Sequence, residues 1–247
     1  MIYAEFASFY DQLFDERLYD RWLRFVQQTV PLPASVLDVA CGTGQLLVRL
    51  QSAGFTVTGC DLSFEMLSLA DQHLQAAGSE NVLLVQANML DLTDFPQFSA
   101  ITCFDDSLCY LANQAEMQQV FQQVYQHLES GGKFLFDVIT PYQTDQKYPG
   151  YMYNYHDEEQ AFLWSSYAGK QEHSVDHELV FFKYEPVKQA FARYEELHHE
   201  RTYPLTTYRR LLHAAGFSHV IVTSDFGENE PTPTTTRWFV VAEKRNA

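Results

Sequence analysis

The sequence predicts an α/β protein built on a doubly wound, mostly parallel seven-stranded sheet. An antiparallel hairpin lies at one sheet edge and an antiparallel β insert follows the fifth strand. Two observations carry this. Short apolar segments without strict alternation recur between helix-like segments, the pattern of strands covered on both faces of a parallel sheet. Residues 140–203 then break that rhythm with aromatic, partly alternating, turn-separated segments, which read as antiparallel strands.

Taken in order, residues 1–27 place Phe6, Tyr10, Leu13 and Phe14, then Tyr19, Trp22 and Phe25, at helical spacing. They are expected as helices packed on the sheet or over its open end. SVLDVA (35–40), FTVTGC (55–60), NVLLVQA (81–87), AITCF (100–104) and KFLFDVI (133–139) supply five strands. Segments 44–53, 63–77 and 114–129 are the crossover helices. Ser63 is placed to cap the second, and Ser130-Gly131-Gly132 to stop the third. YPGYMYNY, FLWSSY, HELVFFKY and AFARYEELHHE are the insert's strand-like segments. Tyr208 to Ala215, closed by Gly216, gives a last helix. HVIVTSDF (219–226) and TRWFVVAEK (236–244) are close enough to pair antiparallel, with ENEPTPTTT (228–236) as their loop. The division is therefore 1–139 with 204–247 for the sheet domain, and 140–203 for the insert.

With 247 residues, 46% hydrophobic and 15% aromatic, the chain can bury a sizeable core. No apolar run approaches the roughly 18 residues that cross a bilayer. The N-terminal MIYAEFASFYDQLFDERLYD lacks the basic start and apolar stretch of a signal peptide, so the expectation is a cytoplasmic protein without membrane contact. Cys41, Cys60, Cys103 and Cys109 show no CxxC spacing, and three of them sit in or beside strand-like segments. That suits buried, reduced thiols rather than a disulfide framework or a metal site. The net charge of −16 weighs against nucleic acid as a partner, because that affinity comes from clustered Lys and Arg.

The most informative stretch is VLDVACGTGQL, Val36 to Leu46. Two glycines between a strand and a helix permit a tight turn. They also let backbone amides approach a ligand at a helix N-terminus. A dinucleotide fingerprint would need a third glycine where this chain has Leu47, and the lysine of a phosphate-binding loop is missing. A second acid, Asp61, ends the next strand, where doubly wound folds hydrogen-bond a ribose. The site has the shape for adenosine and lacks both phosphate fingerprints. On the residues alone, Asp38 either caps its own turn or faces a ligand.

LDVACGTG followed by TGCDLSFEML resembles motif I and the ribose motif of class I S-adenosylmethionine-dependent methyltransferases. The N-terminal FASFYDQLFD, PYQ after the fifth strand, and ELHHERTYPLTTYRRLLHAAGF resemble the YqeM-type bacterial subgroup. The resemblance implies S-adenosylmethionine as cofactor. It implies that Asp38 orders the turn of Ala40, Cys41, Gly42 and Gly44 near the methionine end, and that Asp61 holds the ribose. Leu62 and Met66 would line the adenine pocket, although ordinary packing explains Met66 equally well. In QANMLDL, Asn88 stands where many relatives have Asp, and Met89 would cover the ring. FDDSLCYL (104–111) resembles the motif under the methyl group, with Asp105 as the candidate catalytic residue and Ser107 beside it; Asp106 is as readily a turn residue. Tyr10 either closes the cofactor pocket or packs in the core.

Methyl transfer aligns nucleophile, methyl and sulfur, and needs a base only where the nucleophile is protonated. The chain lacks the Asn or Asp-Pro-Pro-Tyr and Pro-Cys signatures of base-modifying methyltransferases. The acceptor is expected to be a small molecule. The alternatives are RNA or a ribosomal component, or cofactor binding without transfer. The insert is the expected substrate cover. Within 140–200 it carries 11 acids against 5 bases. That balance suits a cationic or amine acceptor, or is simply a solvated face. His156, His173, His177, His198 and His199 match no metal-ligand spacing.

Overall fold

A computed structural model describes residues 16–79 and 81–246. Among the described residues, α1 (Glu16–Thr29) precedes β1 (Ser35–Val39), α2 (Gln45–Ser52), β2 (Thr56–Asp61), α3 (Phe64–Ala76), β3 (Leu83–Gln86) and β4 (Phe98–Cys103). Then come α4 (Gln114–His127), β5 (Leu128–Ile139), the insert strands β6 (Met152–His156), β7 (Gln160–Ala168), β8 (Ser174–Glu185) and β9 (Ala190–Arg201), α5 (Leu205–Ala215), β10 (His219–Thr223) and β11 (Arg237–Glu243). The seven-stranded sheet runs β10-β11-β5-β4-β1-β2-β3, and the insert forms a separate sheet, β6-β7-β8-β9. β1 through β5 pair in parallel, while β11 is antiparallel to both β5 and β10. The predicted class is observed.

The unbroken apolar runs have a direct cause, because successive residues of each central strand enter opposite cores. Val36, Ala100 and Leu135 pack with α1, α2 and α3 on one face; Leu37, Ile101, Phe134 and Phe136 pack with α4 and α5 on the other. Both faces are apolar because both are covered.

One boundary differs from the reading above. α4 ends at His127 and Leu128 is already extended, so Gly131 and Gly132 lie inside β5 instead of stopping the helix. The strand's register against β4 shifts between Phe98 and Ala100, and a Cβ on Gly132 would lie 2.9 Å from the Glu129 carbonyl oxygen. The pair is there for an irregularity in the strand, where two backbones approach closely.

The insert is rooted in the larger core. Val175 of β8 and Tyr203 just after β9 are buried in the α4–α5 layer, and Thr202 Oγ1 donates to the Ile139 carbonyl at the carboxyl end of β5 (2.6 Å). At its other end, Phe162 and Phe181 pack on Met66 of α3. Both attachments lie at the end of the sheet where β1, β2, β4 and β5 terminate.

All four cysteines are buried and free. Burial pushes the Cys60 thiol up to about 12, and Cys41, Cys103 and Cys109 well above the ordinary range. The native protein should therefore react with no thiol reagent over minutes and release four equivalents on denaturation. Titration with a chromogenic disulfide reads this directly, and a fast native thiol would contradict the packing.

Candidate functional site

Three loops converge beyond the carboxyl ends of the parallel strands. The first follows β1, with Ala40 (φ 57°), Gly42 (φ 54°) and Gly44 (φ 75°) all left-handed. Gly44 starts α2 against α3, where a Cβ would sit 2.8 Å from Ala70 Cβ. A Cβ on Gly42 would meet nothing within 4 Å. Gly42 thus turns the chain and leaves room above the turn, which is the space a flat ligand needs to lie against the backbone. Cys41 N–H donates to the Cys60 carbonyl (3.0 Å), tying the loop to β2.

Asp38 lies within β1, opposite Thr102 of β4. It is buried and accepts from Thr102 Oγ1 at 2.6 Å. Burial pushes its carboxyl up to about 7, against the lowering pull of that hydrogen bond, and the Asp61 charge adds to the rise. The proton on Asp38 stabilises the fold fully below the ordinary carboxyl value of 3.8, and that contribution is lost as the pH rises through about 7. Asp38→Asn should leave stability unchanged below about pH 4 and raise it by a few kcal/mol at about pH 8. Urea midpoints at the two pH values test this; a destabilised variant at the higher pH would refute it.

Asp61 ends β2 and joins the turn to α3. Its two oxygens accept from Gly42 N–H and Ser63 N–H, each at 2.9 Å. Burial raises its carboxyl, while the backbone donors of Ser63, Gly42 and Leu62 draw it down. A carboxylate has about four acceptor positions, so these three donors leave capacity for one more. Ser63 caps α3 as expected, its Oγ accepting from Met66 N–H (3.1 Å). Leu62 is 67% exposed, and Met66 is packed against the insert. Asn88 is exposed, its Oδ1 accepting from Leu90 N–H (3.0 Å), while Met89 packs on the α4–α5 core. Tyr10 lies outside the described residues.

The third loop, after β4, carries Asp105 (φ 55°) and Asp106 (φ 47°), two successive left-handed non-glycine residues. Such strain persists only where the surroundings hold it. Here Asp137, fully buried in β5, accepts from Asp106 N–H (2.8 Å), from Arg237 Nη1 (2.8 Å) and from Trp22 Nε1 (2.7 Å). Arg237 Nη1 also lies 2.9 Å from Asp106 and 3.9 Å from Asp105. Burial works against the guanidinium charge, but Asp106, Asp137 and Asp105 outweigh it and hold Arg237 above its ordinary value. Asp106 is itself raised by burial, against the pull of Arg237, with Glu200, Asp105 and Asp137 pushing it further up. Ser107 Oγ donates back to the Phe104 carbonyl (2.8 Å).

The loops place Asp38, Ala40, Cys41, Gly42, Gly44 and Asp61 at the ends of β1 and β2, with Asp105 and Ser107 after the neighbouring β4. Sequence reading missed Asp137, Arg237 and Trp22, which hold the Asp105 loop, and gave no particular place to Glu200. An acid within KFLFDVI was a signal of the same kind as the acid within SVLDVA. Arg237 offered none.

Residues 36–132 match a family model described as a methyltransferase domain. The chain is 38% identical to the Bacillus subtilis protein named "Putative methyltransferase YqeM", over 99% of this chain and 98% of that one. It is 34% identical to the dTDP-3-amino-3,6-dideoxy-alpha-D-glucopyranose N,N-dimethyltransferase of Streptomyces fradiae, over 51% of this chain and 47% of that one. An S-adenosylmethionine-dependent methyltransferase from Clostridium acetobutylicum superposes with a TM-score of 0.85 at 26% identity, covering 99% of each chain.

Proposed function

Since the chain belongs to the YqeM-type family of S-adenosylmethionine-dependent methyltransferases, we propose that its acceptor is a small molecule, held between the insert sheet and the Asp105 loop. The observation that carries this is the docking of the insert. Its aromatic face meets α3 at Met66, and its root is buried at the carboxyl end of β5. It therefore stands over the strand ends where a ligand of an open α/β sheet binds. The dimethyltransferase of Streptomyces fradiae, named for a nucleotide-linked amino sugar, supports the same size class.

Bound S-adenosylmethionine supplies a methyl group activated by a sulfonium. The chain's part is to bind, orient and exclude water. Asp61 takes a ribose hydroxyl with its remaining acceptor position, and Gly42, whose N–H is held by Asp61, leaves the space above the turn open to the cofactor's flat body. Asp38 sets the loop from within the sheet, and Leu62 and Asn88 flank the adenine. Asp105, turned out of β4 by its left-handed backbone, faces the transfer point, and the Arg237 and Asp137 contacts fix that loop. The insert determines which nucleophile reaches the methyl group, because the glycine turn and Asp61 meet only the cofactor.

Methyl-labelled S-adenosylmethionine, supplied with the purified protein to a cell extract, tests the proposal. Label should appear in the dialysable fraction. Label retained on RNA or on protein would overturn it.

A further inference from the structure

We propose that Glu200 and His177 are the recognition pair for the acceptor, and that the acceptor is an amine with an oxygen beside its nitrogen. Glu200 holds the ammonium, and His177 donates to the oxygen. This rests on the small-molecule reading above and specifies the chemistry of that molecule.

Both residues belong to the end of the insert that is wedged against the main sheet. Glu200 of β9 pairs with Val175 of β8, which is buried in the main core, and Thr202 anchors the strand two residues later. His177 points from β8 toward Glu200. The side chains are almost wholly buried, 6% exposed for Glu200 and 3% for His177. Yet Glu200 Oε2 and His177 Nε2 have no hydrogen-bond partner among the described residues. They lie 3.7 Å apart, too far to satisfy each other.

The tautomer of His177 is set by its surroundings. Trp164 Nε1, which can only donate, points at His177 Nδ1 (3.1 Å), and Ser166 Oγ lies 2.8 Å from the same nitrogen. The neutral ring therefore carries its proton on Nε2. A buried donor without an acceptor stands beside a buried acceptor without a donor, and each is costly to leave so. An amine with a neighbouring oxygen completes both.

The charge around the pair has the matching sign. One guanidinium, Arg237, contacts Asp105, Asp106 and Asp137. Glu200 adds a further carboxylate facing Asp106, Cys109 and the Tyr110 hydroxyl on the strand-four loop. Negative charge is in surplus beside the transfer point, where an ammonium would restore the balance. The rings of Tyr148 and Trp164 border His177 at centroid distances of 4.7 and 5.4 Å and fix the imidazole in place.

An ammonium has no lone pair, so a proton must leave before transfer. Glu200 Oε2 accepts it. The freed nitrogen pair then forms the bond to the methyl carbon as the carbon–sulfur pair returns to sulfur. The products are a methylated ammonium and a thioether, and the proton passes from Glu200 to solvent.

Calorimetry on the protein loaded with S-adenosylhomocysteine tests the pair, with trans-2-aminocyclohexanol and trans-cyclohexane-1,2-diol as matched probes. The amino alcohol should bind at least about tenfold tighter than the diol, and Glu200→Gln should bring the two together. The variant should keep its S-adenosylmethionine affinity within about twofold and melt no lower than the parent, since the amide keeps the side chain's size and an acceptor oxygen while removing a buried charge. Equal binding of the two probes, no binding of the amine, or discrimination retained in Glu200→Gln would overturn the proposal. A lower melting temperature would make Glu200 structural, and a loss of S-adenosylmethionine affinity would place it at the sulfonium; either result also overturns it. Methyl label found in a small molecule that is not an amine would sink this inference while leaving the small-molecule reading intact.

Discussion

Arg237→Met should destabilise the folded protein by on the order of 3 kcal/mol above neutral pH, and by much less near about pH 5. The side chain is only 26% exposed and is the cation that contacts Asp105, Asp106 and Asp137. Methionine keeps the stem's apolar packing and removes the charge. Asp137 still has its bonds from Trp22 and Asp106 N–H, but among the described residues no positive charge remains against it. The loss should fade in acid because Asp106, already raised by burial and then freed of the lowering pull of Arg237, takes up a proton in the fold. That contribution is present at low pH and disappears as the pH climbs through the raised value. Denaturation midpoints at two pH values check the prediction, and an unchanged midpoint at both would mean the cluster is electrostatically idle. Transfer should fall too, since the Asp105 loop is held through this guanidinium.

The second large effect is on cofactor binding. Asp61→Ala should weaken S-adenosylhomocysteine by about tenfold to a hundredfold, on the order of 1.5–3 kcal/mol for a hydrogen bond to a charged group. Both carboxylate oxygens already organise the site, one on Gly42 N–H and the other on Ser63 N–H. The substitution therefore loosens the glycine turn as well as removing the ribose partner. The fold should persist, because Asp61 holds the Ser63 N–H whereas the cap of α3 is made by the Ser63 hydroxyl on Met66 N–H. Calorimetry with S-adenosylhomocysteine and with NAD separates the possibilities. An unchanged dissociation constant would mean the ribose is held elsewhere, and tighter NAD binding by the parent protein would overturn the site.

Much of this site was legible in the sequence because it is local. The glycine turn and the strand-end acid are set by residues close in the chain, and strands buried on both faces announce themselves as unbroken apolar runs. The parts that could not be read come from long-range juxtaposition. Arg237 reaches Asp137 across a sequence separation of 100 residues, and the pairing exists only because β11 lies antiparallel against β5. Glu200 and His177 meet through the β8–β9 register and the wedge against β5; one-dimensional spacing shows two scattered polar residues. The glycine pair at 131–132 looked like a helix stop because glycine serves both helix ends and strand irregularities, and tertiary contacts choose between them. The insert's limits were set by composition, but burial does not respect them. Val175 and Tyr203 belong to the main core, so excising the whole insert would damage the sheet domain, and single substitutions on its inner face are the cleaner probes.

The most direct measurement is the electron density of S-adenosylhomocysteine bound to the purified protein. The ribose should lie on Asp61, the homocysteine sulfur should sit between the Gly42 turn and Asp105, and the insert sheet should stand over it with Glu200 on the sulfur's far side from Asp38. Density for the ligand away from the Gly42 turn, or an insert displaced from the carboxyl ends of β4 and β5, would contradict the assignment.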